Sequence, residues 1–407
     1  MRALVFHPTV ACYLLTRAAG AVWESAYWSP LSPLRLRDVQ DPALPGPEWV
    51  RVRVRMGGIC GSDLHLVTLQ ASPSASAFAS FPFVPGHENV GEVVEAGSQP
   101  GVRPGQRVVV EPVLPCRTRG FPEMCGPCRE GDYHLCVRTA EGHLRPGLMV
   151  GACRDTGGSW GENFVAHRSQ VLPVPDSVGD EEALLSEPAA CALHALLRWM
   201  PSDRDAVLVI GGGVIGQLVV ACLRALGSSA PVTVLTKYPH QAERARAQGA
   251  DHTVLLQGRD GHYEALADLL GARLRRPMLG KRVVVGGARL VVDCVGSGRS
   301  LDDALRWAGP RGTVVVLGLA SLPRGVDWTP VWLKELRVVG SYAYALEDWR
   351  GERVRTMELV LRWMAEGRLA VADLVTHRFP LDRFRDALHA ALGKSAHRAF
   401  KVAFQFP

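Results

Sequence analysis

Apolar and polar positions along the 407-residue chain fall into two textures. From about Leu34 to Pro175, short β-rich runs are punctuated by Gly and Pro. Trp49 to Val54, Val90 to Glu95 and Arg107 to Val110 read as strands of a compact, mostly antiparallel β domain. From about Glu187 the pattern becomes strand, glycine turn, helix, strand. Ala206 to Ile210 reads as a buried strand, and Val214 to Leu226 has helical spacing. Val232 to Leu235, Leu290 to Val295, Thr313 to Leu317 and Arg337 to Val339 read as further buried strands. Such alternation predicts a parallel, doubly wound sheet. After Ala343 a helix over Val354 to Ala365 and two short strand-like segments remain. The expected α/β organisation is a β-rich domain of residues 1–186, continued by 344–407, with a dinucleotide-type α/β domain of 187–343 inserted.

Composition narrows the class. Hydrophobic residues make up 47% and charged residues 21%, the balance of a soluble globular chain. The net charge is +6, but the arginines are spread out. Arg51, Arg53 and Arg55 alternate as on one strand face, and Arg273, Arg275 and Arg276 form the other loose group. A solvated surface is expected, not nucleic-acid binding. No run approaches the roughly 20 apolar residues of a membrane span. Pro8 and Arg17 interrupt the apolar stretch Val10 to Leu15, which argues against a signal peptide despite Ala18-Ala19-Gly20-Ala21. Of ten cysteines, four lie between Cys116 and Cys136, which suits a reducing cytoplasm with a local metal site.

The strand Val207 to Ile210 leads directly into Gly211-Gly212-Gly213-Val214-Ile215-Gly216. In a G-x-G-x-x-G turn Gly211 permits the bend, Gly213 admits a pyrophosphate, and Gly216 lets helix and strand pack closely. The next strand ends in Thr236-Lys237-Tyr238, with no acid before Glu243. An acid there would bind the ribose hydroxyls of NAD(H); Thr236 and Lys237 match a 2′-phosphate, so NADP(H) is favoured over NAD(H). A solvated loop lysine is the plain alternative.

Two groups carry metal chemistry. Cys116, Cys125, Cys128 and Cys136, spaced C-x8-C-x2-C-x7-C, offer four thiolates that would close a tetrahedral shell around zinc. Separately, Cys60-Gly61-Ser62-Asp63-Leu64-His65, Pro85-Gly86-His87-Glu88 and Ser186-Glu187-Pro188 can contribute one thiolate, one imidazole and one or two carboxylates to a single site. Such a set can hold zinc and leave a position open.

On these motifs the chain resembles the medium-chain dehydrogenase/reductase superfamily, particularly its zinc-containing polyol and threonine dehydrogenase branch. The resemblance runs from Leu34 to Phe406. It implies a GroES-like β domain beside a Rossmann domain, and two zinc ions per chain. Cys60 and His87 match catalytic-zinc ligands, while Glu88 and Glu187 match residues that bind the zinc or its water. Cys116, Cys125, Cys128 and Cys136 match the structural-zinc ligands. Ser62 and His65 match a proton relay, Asp63 a carboxylate orienting His87, and Arg398 a cation near the cofactor pyrophosphate. The implied reaction passes a hydride between the nicotinamide and a small-molecule alcohol or ketone, in a cytoplasmic homodimer or homotetramer. Imine or enoyl reduction, or a non-catalytic sensor, are the competing readings. The chain departs from the family pattern in the eight residues between Cys116 and Cys125, where two are usual. It also has a long Cys60–His87 loop and apparent insertions at Pro8–Pro33 and Arg275–Gly287. Gln70 to Ser80, rich in Ala and Ser, reads as a lid or a spacer, and Phe78, Phe81 and Phe83 beyond it suggest a substrate with an apolar group.

Overall fold

The computed structural model describes residues 1–99 and 101–407. The chain divides into two compact units, Met1–Glu187 with Tyr344–Pro407, and Pro188–Ala343. In chain order the first unit opens with β1 (Arg2–Phe6), β2 (Leu34–Asp38), β3 (Trp49–Gly58), β4 (Asn89–Ala96), β5 (Arg107–Val110), β6 (Asn163–His167) and β7 (Val171–Pro173). The second unit holds β8 (Val207–Ile210), β9 (Val232–Thr236), β10 (His252–Leu255), β11 (Arg273–Arg275), β12 (Val283–Val285), β13 (Ala288–Asp293), β14 (Ala308–Val316) and β15 (Arg337–Gly340). Back in the first unit come β16 (Leu346–Trp349), β17 (Glu352–Arg355), β18 (Val375–Phe379) and β19 (Lys401–Gln405).

The first unit is built on a mostly antiparallel sheet in the order β18-β19-β3-β4-β5-β7, with β6 also pairing β3. Alternation along β3 explains its place. Val50, Val52 and Val54 are fully buried, and a buried Val contributes about 1.5–3 kcal/mol. Between them Arg51 reaches Glu95 at 2.7 Å, Arg53 reaches Glu92 at 3.3 Å, and Arg55 reaches Asp180 at 2.8 Å. A second core gathers Phe6, Trp28, Leu64, Val67, Phe83, Trp160, Leu388 and Phe404. The Pro8–Pro33 insertion forms a helix, Val10–Gly20, followed by a 3₁₀ turn at Glu24–Trp28. Pro73–Phe78 is a 3₁₀ helix that buries none of its side chains.

The second unit carries a six-stranded parallel sheet in the order β10-β9-β8-β13-β14-β15. Its central strand β8 is buried throughout, as expected of a strand covered on both faces. The 275–287 insertion closes as an antiparallel hairpin of β11 and β12. One element differs from the sequence expectation. Val354 lies in β17, opposite Glu347, and the helix starts only at Thr356. Among the described residues, no helix is long and apolar enough to cross a membrane.

Candidate active site

Cys60 caps the short helix Gly61–Val67, and Asp63 in its first turn accepts a hydrogen bond from the Cys60 backbone N–H at 2.9 Å. The same carboxylate stands 3.5 Å from Nδ1 of His87. His87 follows Gly86, whose positive φ of 94° suits glycine, and a Cβ there would meet Trp160 and Ser159. One carboxylate thus fixes two candidate ligands from distant segments. Burial opposes a charge on His87, but Asp63 outweighs it and holds the imidazole well above its usual range.

Cys60, His87 and Glu88 bring one ligand atom each within 4.8 Å of one another. Glu88 enters because Gly58 has no side chain; a Cβ there would sit 2.0 Å from its carboxylate. Both Glu88 oxygens lie 2.5 Å from Nζ of Lys401 on β19, which also donates to the Ile59 carbonyl at 3.3 Å. The pair is fully buried, and Lys401 is held above its usual range because Glu88 and Cys60 outweigh the burial cost. Nothing in the sequence pattern marks Lys401, which lies 313 residues from Glu88. Glu187 is buried and near enough to add to the field at Lys401, but it stands outside the three-residue group.

Ser62 and His65 are three residues apart on the same helix, hence on one face. Both are partly exposed. His65 Nδ1 has no hydrogen-bond partner, and burial followed by the Lys394 charge pushes this imidazole below its usual range.

The four cysteines also converge, with all four sulfurs within 4.8 Å of one another. Cys116 Sγ lies 3.6 Å from Cys136 Sγ, and Cys125 Sγ 3.9 Å from it. A tetrahedron with Zn–S bonds of about 2.3 Å has edges of about 3.8 Å, so the donors fit zinc. A hydrogen bond from the Cys128 thiol draws Cys136 down to about 5. The long loop between Cys116 and Cys125 turns at Gly120, with φ of 73°. Arg119 pins it from inside. Its guanidinium is buried and donates to the carbonyls of Leu114, Glu141, Leu144, Arg145 and Gly147. Sequence reasoning passed over this residue because an arginine in a loop reads as solvated.

In the second unit, Gly211 has φ of 105°, and a Cβ on Gly216 would come within 1.8 Å of the Gly211 carbonyl. Gly213 caps the helix Val214–Ala225 with open space on its Cβ side, the approach a pyrophosphate needs. Val214 is buried and Ile215 partly so. Thr236, expected beside a 2′-phosphate, is instead fully buried and donates its hydroxyl to Gln241 Oε1 at 2.6 Å. Of that pair only Lys237 is exposed, its ammonium 5.2 Å from the Tyr238 ring centre. Arg398 lies in the first unit in a left-handed conformation, φ 51°. Phe81 and Phe83 pack on Phe6 with tilted rings, centres 6.1 and 5.7 Å away, Phe83 buried in the second core and Phe81 partly buried beside it.

Residues 46–176 match the alcohol dehydrogenase GroES-like domain, and 214–358 match the zinc-binding dehydrogenase domain. An L-threonine 3-dehydrogenase of Rhizobium johnstonii is 32% identical, covering 85% of this chain and 88% of the relative. The chain belongs to the zinc-dependent medium-chain alcohol dehydrogenase family. An L-idonate 5-dehydrogenase of Vitis vinifera is 30% identical over 84% of each chain. A zinc-binding dehydrogenase from Sinorhizobium meliloti, solved with NADP, superposes with a TM-score of 0.70 at 27% identity, covering 92% of this chain and 96% of that one. As a member of this family, the chain is a zinc-dependent oxidoreductase that passes a hydride between a nicotinamide cofactor and an alcohol or ketone. The named dehydrogenases favour that activity over imine or enoyl reduction and over a sensor role.

Proposed function

We propose that Cys60 and His87 hold the catalytic zinc of an NADP(H)-dependent alcohol dehydrogenase, with Glu187 or Glu88 completing the protein ligands. The four cysteines hold a second, structural zinc. The observation that carries this reading is the contrast in donor sets: four mutually adjacent thiols in one place, and a mixed, incomplete set in the other. Residues 1–186 with 344–407 act as the catalytic domain and 187–343 as the cofactor domain, an assignment supported by the division of the chain after Glu187 and Ala343.

When bound, zinc would supply Lewis acidity that eases deprotonation of an alcohol, and the nicotinamide would supply the hydride acceptor. The chain's own residues do the rest. Asp63 accepts from Nδ1 of His87 and from the Cys60 N–H, which orients both ligands. Lys401 neutralises Glu88 and holds its carboxylate in place. Ser62 receives the substrate proton at its hydroxyl and His65 passes it to water. Its lowered pKa keeps the imidazole neutral and able to accept near pH 7. Gly211, Gly213, Val214, Ile215 and Gly216 would cradle the cofactor pyrophosphate, and Lys237 would supply a cation for a 2′-phosphate.

Ten free thiols suit the cytoplasm as the working compartment. Trp332 and Leu333, 70% and 59% exposed on the segment that leads into the edge strand β15, give a homodimer or homotetramer apolar side chains to cover. Metal analysis joined to kinetics tests the proposal. Wild type should hold two zincs per chain, His87→Ala one, and turnover on an alcohol panel should favour NADP. Full activity in metal-free protein, or a preference for NAD, overturns the corresponding part.

A further inference from the structure

Three histidines outside both metal clusters, from three elements, come together at the surface of the first unit. His389 lies on the helix Phe384–Leu392, His397 ends the short helix Lys394–His397, and His377 is on β18. His397 Nε2 stands 3.3 Å from His389 Nδ1, their ring centres 5.2 Å apart and nearly perpendicular at 80°. The His377 ring centre is 6.3 Å from that of His397, about 1 Å more than the separation within the pair.

We propose that His389 and His397 form a two-imidazole binding site for a transition-metal dication such as Zn²⁺, additional to the two clusters described above, with His377 on its flank. Two imidazole nitrogens on one tetrahedral zinc, with Zn–N bonds of about 2.0–2.1 Å, are separated by about 3.3–3.4 Å. The pair already stands at that separation. Local backbone sets it: Gly393 N–H donates to the His389 carbonyl at 2.8 Å, and His397 N–H donates to the Gly393 carbonyl at 3.1 Å. Gly393 is also needed sterically, since a Cβ there would come within 3.0 Å of the His397 ring.

The third imidazole is oriented by its neighbour. Thr376 has one hydroxyl hydrogen, which it donates to the Lys401 carbonyl at 3.3 Å, while its oxygen accepts the Phe400 N–H at 3.1 Å. His377 Nδ1 stands 2.9 Å from the same oxygen. Water fills the positions that the pair leaves open. His389 is exposed and the other two are partly exposed, so the ion has access from solvent.

Zinc titration calorimetry on the intact, zinc-loaded enzyme tests the site. Wild type should take up one equivalent beyond those it was purified with, in the micromolar range. His389→Ala and His397→Ala should each weaken that uptake by about tenfold or more, and His377→Ala by less. Cobalt in place of zinc adds a spectral readout, with tetrahedral absorption lost in the same variants. Uptake that is absent up to millimolar zinc, or that the His389 and His397 variants leave unchanged, means the pair is only a hydrogen bond and overturns the proposal. Circular dichroism of the variants guards against misfolding, and His389→Gln repeats the test with a polar side chain.

Discussion

The two metal clusters of the first unit are built by opposite means. In the four-cysteine cluster the donors satisfy one another, sulfur against sulfur at 3.6 and 3.9 Å, and all four come from one 21-residue stretch, Cys116 to Cys136. Around Cys60 each donor leans on a residue that is not itself a sulfur or an imidazole. Asp63 holds both Cys60 and His87, and Lys401 holds Glu88 from the far end of the chain. A closed shell can be specified locally because its ligands use up the metal's coordination. An open one must be braced from outside, or its ligands would collapse into the position that substrate needs.

That contrast predicts where damage falls. His87→Ala should lower turnover by about a thousandfold or more, since it removes a ligand worth several kcal/mol of charge stabilisation. The thermal midpoint should hardly move. In zinc-free protein, Lys401→Met should destabilise the fold by about 3–5 kcal/mol, because the fully buried Glu88 then loses the ammonium that both its oxygens face. Adding Glu88→Gln should recover part of the loss in denaturant melts, and no recovery would show that the ion pair is not the cause. Cys128→Ser should cost about 3 kcal/mol or more and release one zinc, while the residual folded enzyme keeps its turnover number. If activity per folded molecule falls in step, the cluster is not purely structural. Asp63→Asn should weaken catalytic zinc binding or turnover by about 10–100-fold and leave the cysteine cluster loaded. The smallest effect belongs to Lys237→Ala, expected to shift the NADP-to-NAD preference by about tenfold in paired kinetics. Thr236→Val should destabilise the Gln241 contact without that shift, because its hydroxyl is turned inward.

Much of this was legible in the chain. The strands of both units follow the apolar runs, since period-two alternation and short buried runs report directly on which side chains can leave water. The helix expected from Val354 begins two residues later because pairing with Glu347 takes Val354 into a hairpin. Cys60, His87 and Glu88 were readable as candidates, and Asp63 as the carboxylate behind His87, but the support of Glu88 by Lys401 was not. Arg119 and Lys401 carry no local signature, since the same residue types are usually solvated and only burial against distant carbonyls or a carboxylate changes their meaning.

What the sequence alone determined was chemistry that is local in the chain: the glycine turn after β8, the cysteine spacing, and the Cys60–His65 and Gly86–Glu88 motifs. Tertiary structure decided the matters that depend on which polar groups lose water together. It turned Thr236 inward onto Gln241, packed Phe81 and Phe83 on Phe6, set Lys401 on Glu88, and brought His377, His389 and His397 to one surface. Spacing along a chain encodes contacts one turn or one strand away. Burial and pairing across 20 to 313 residues exist only once the chain has closed.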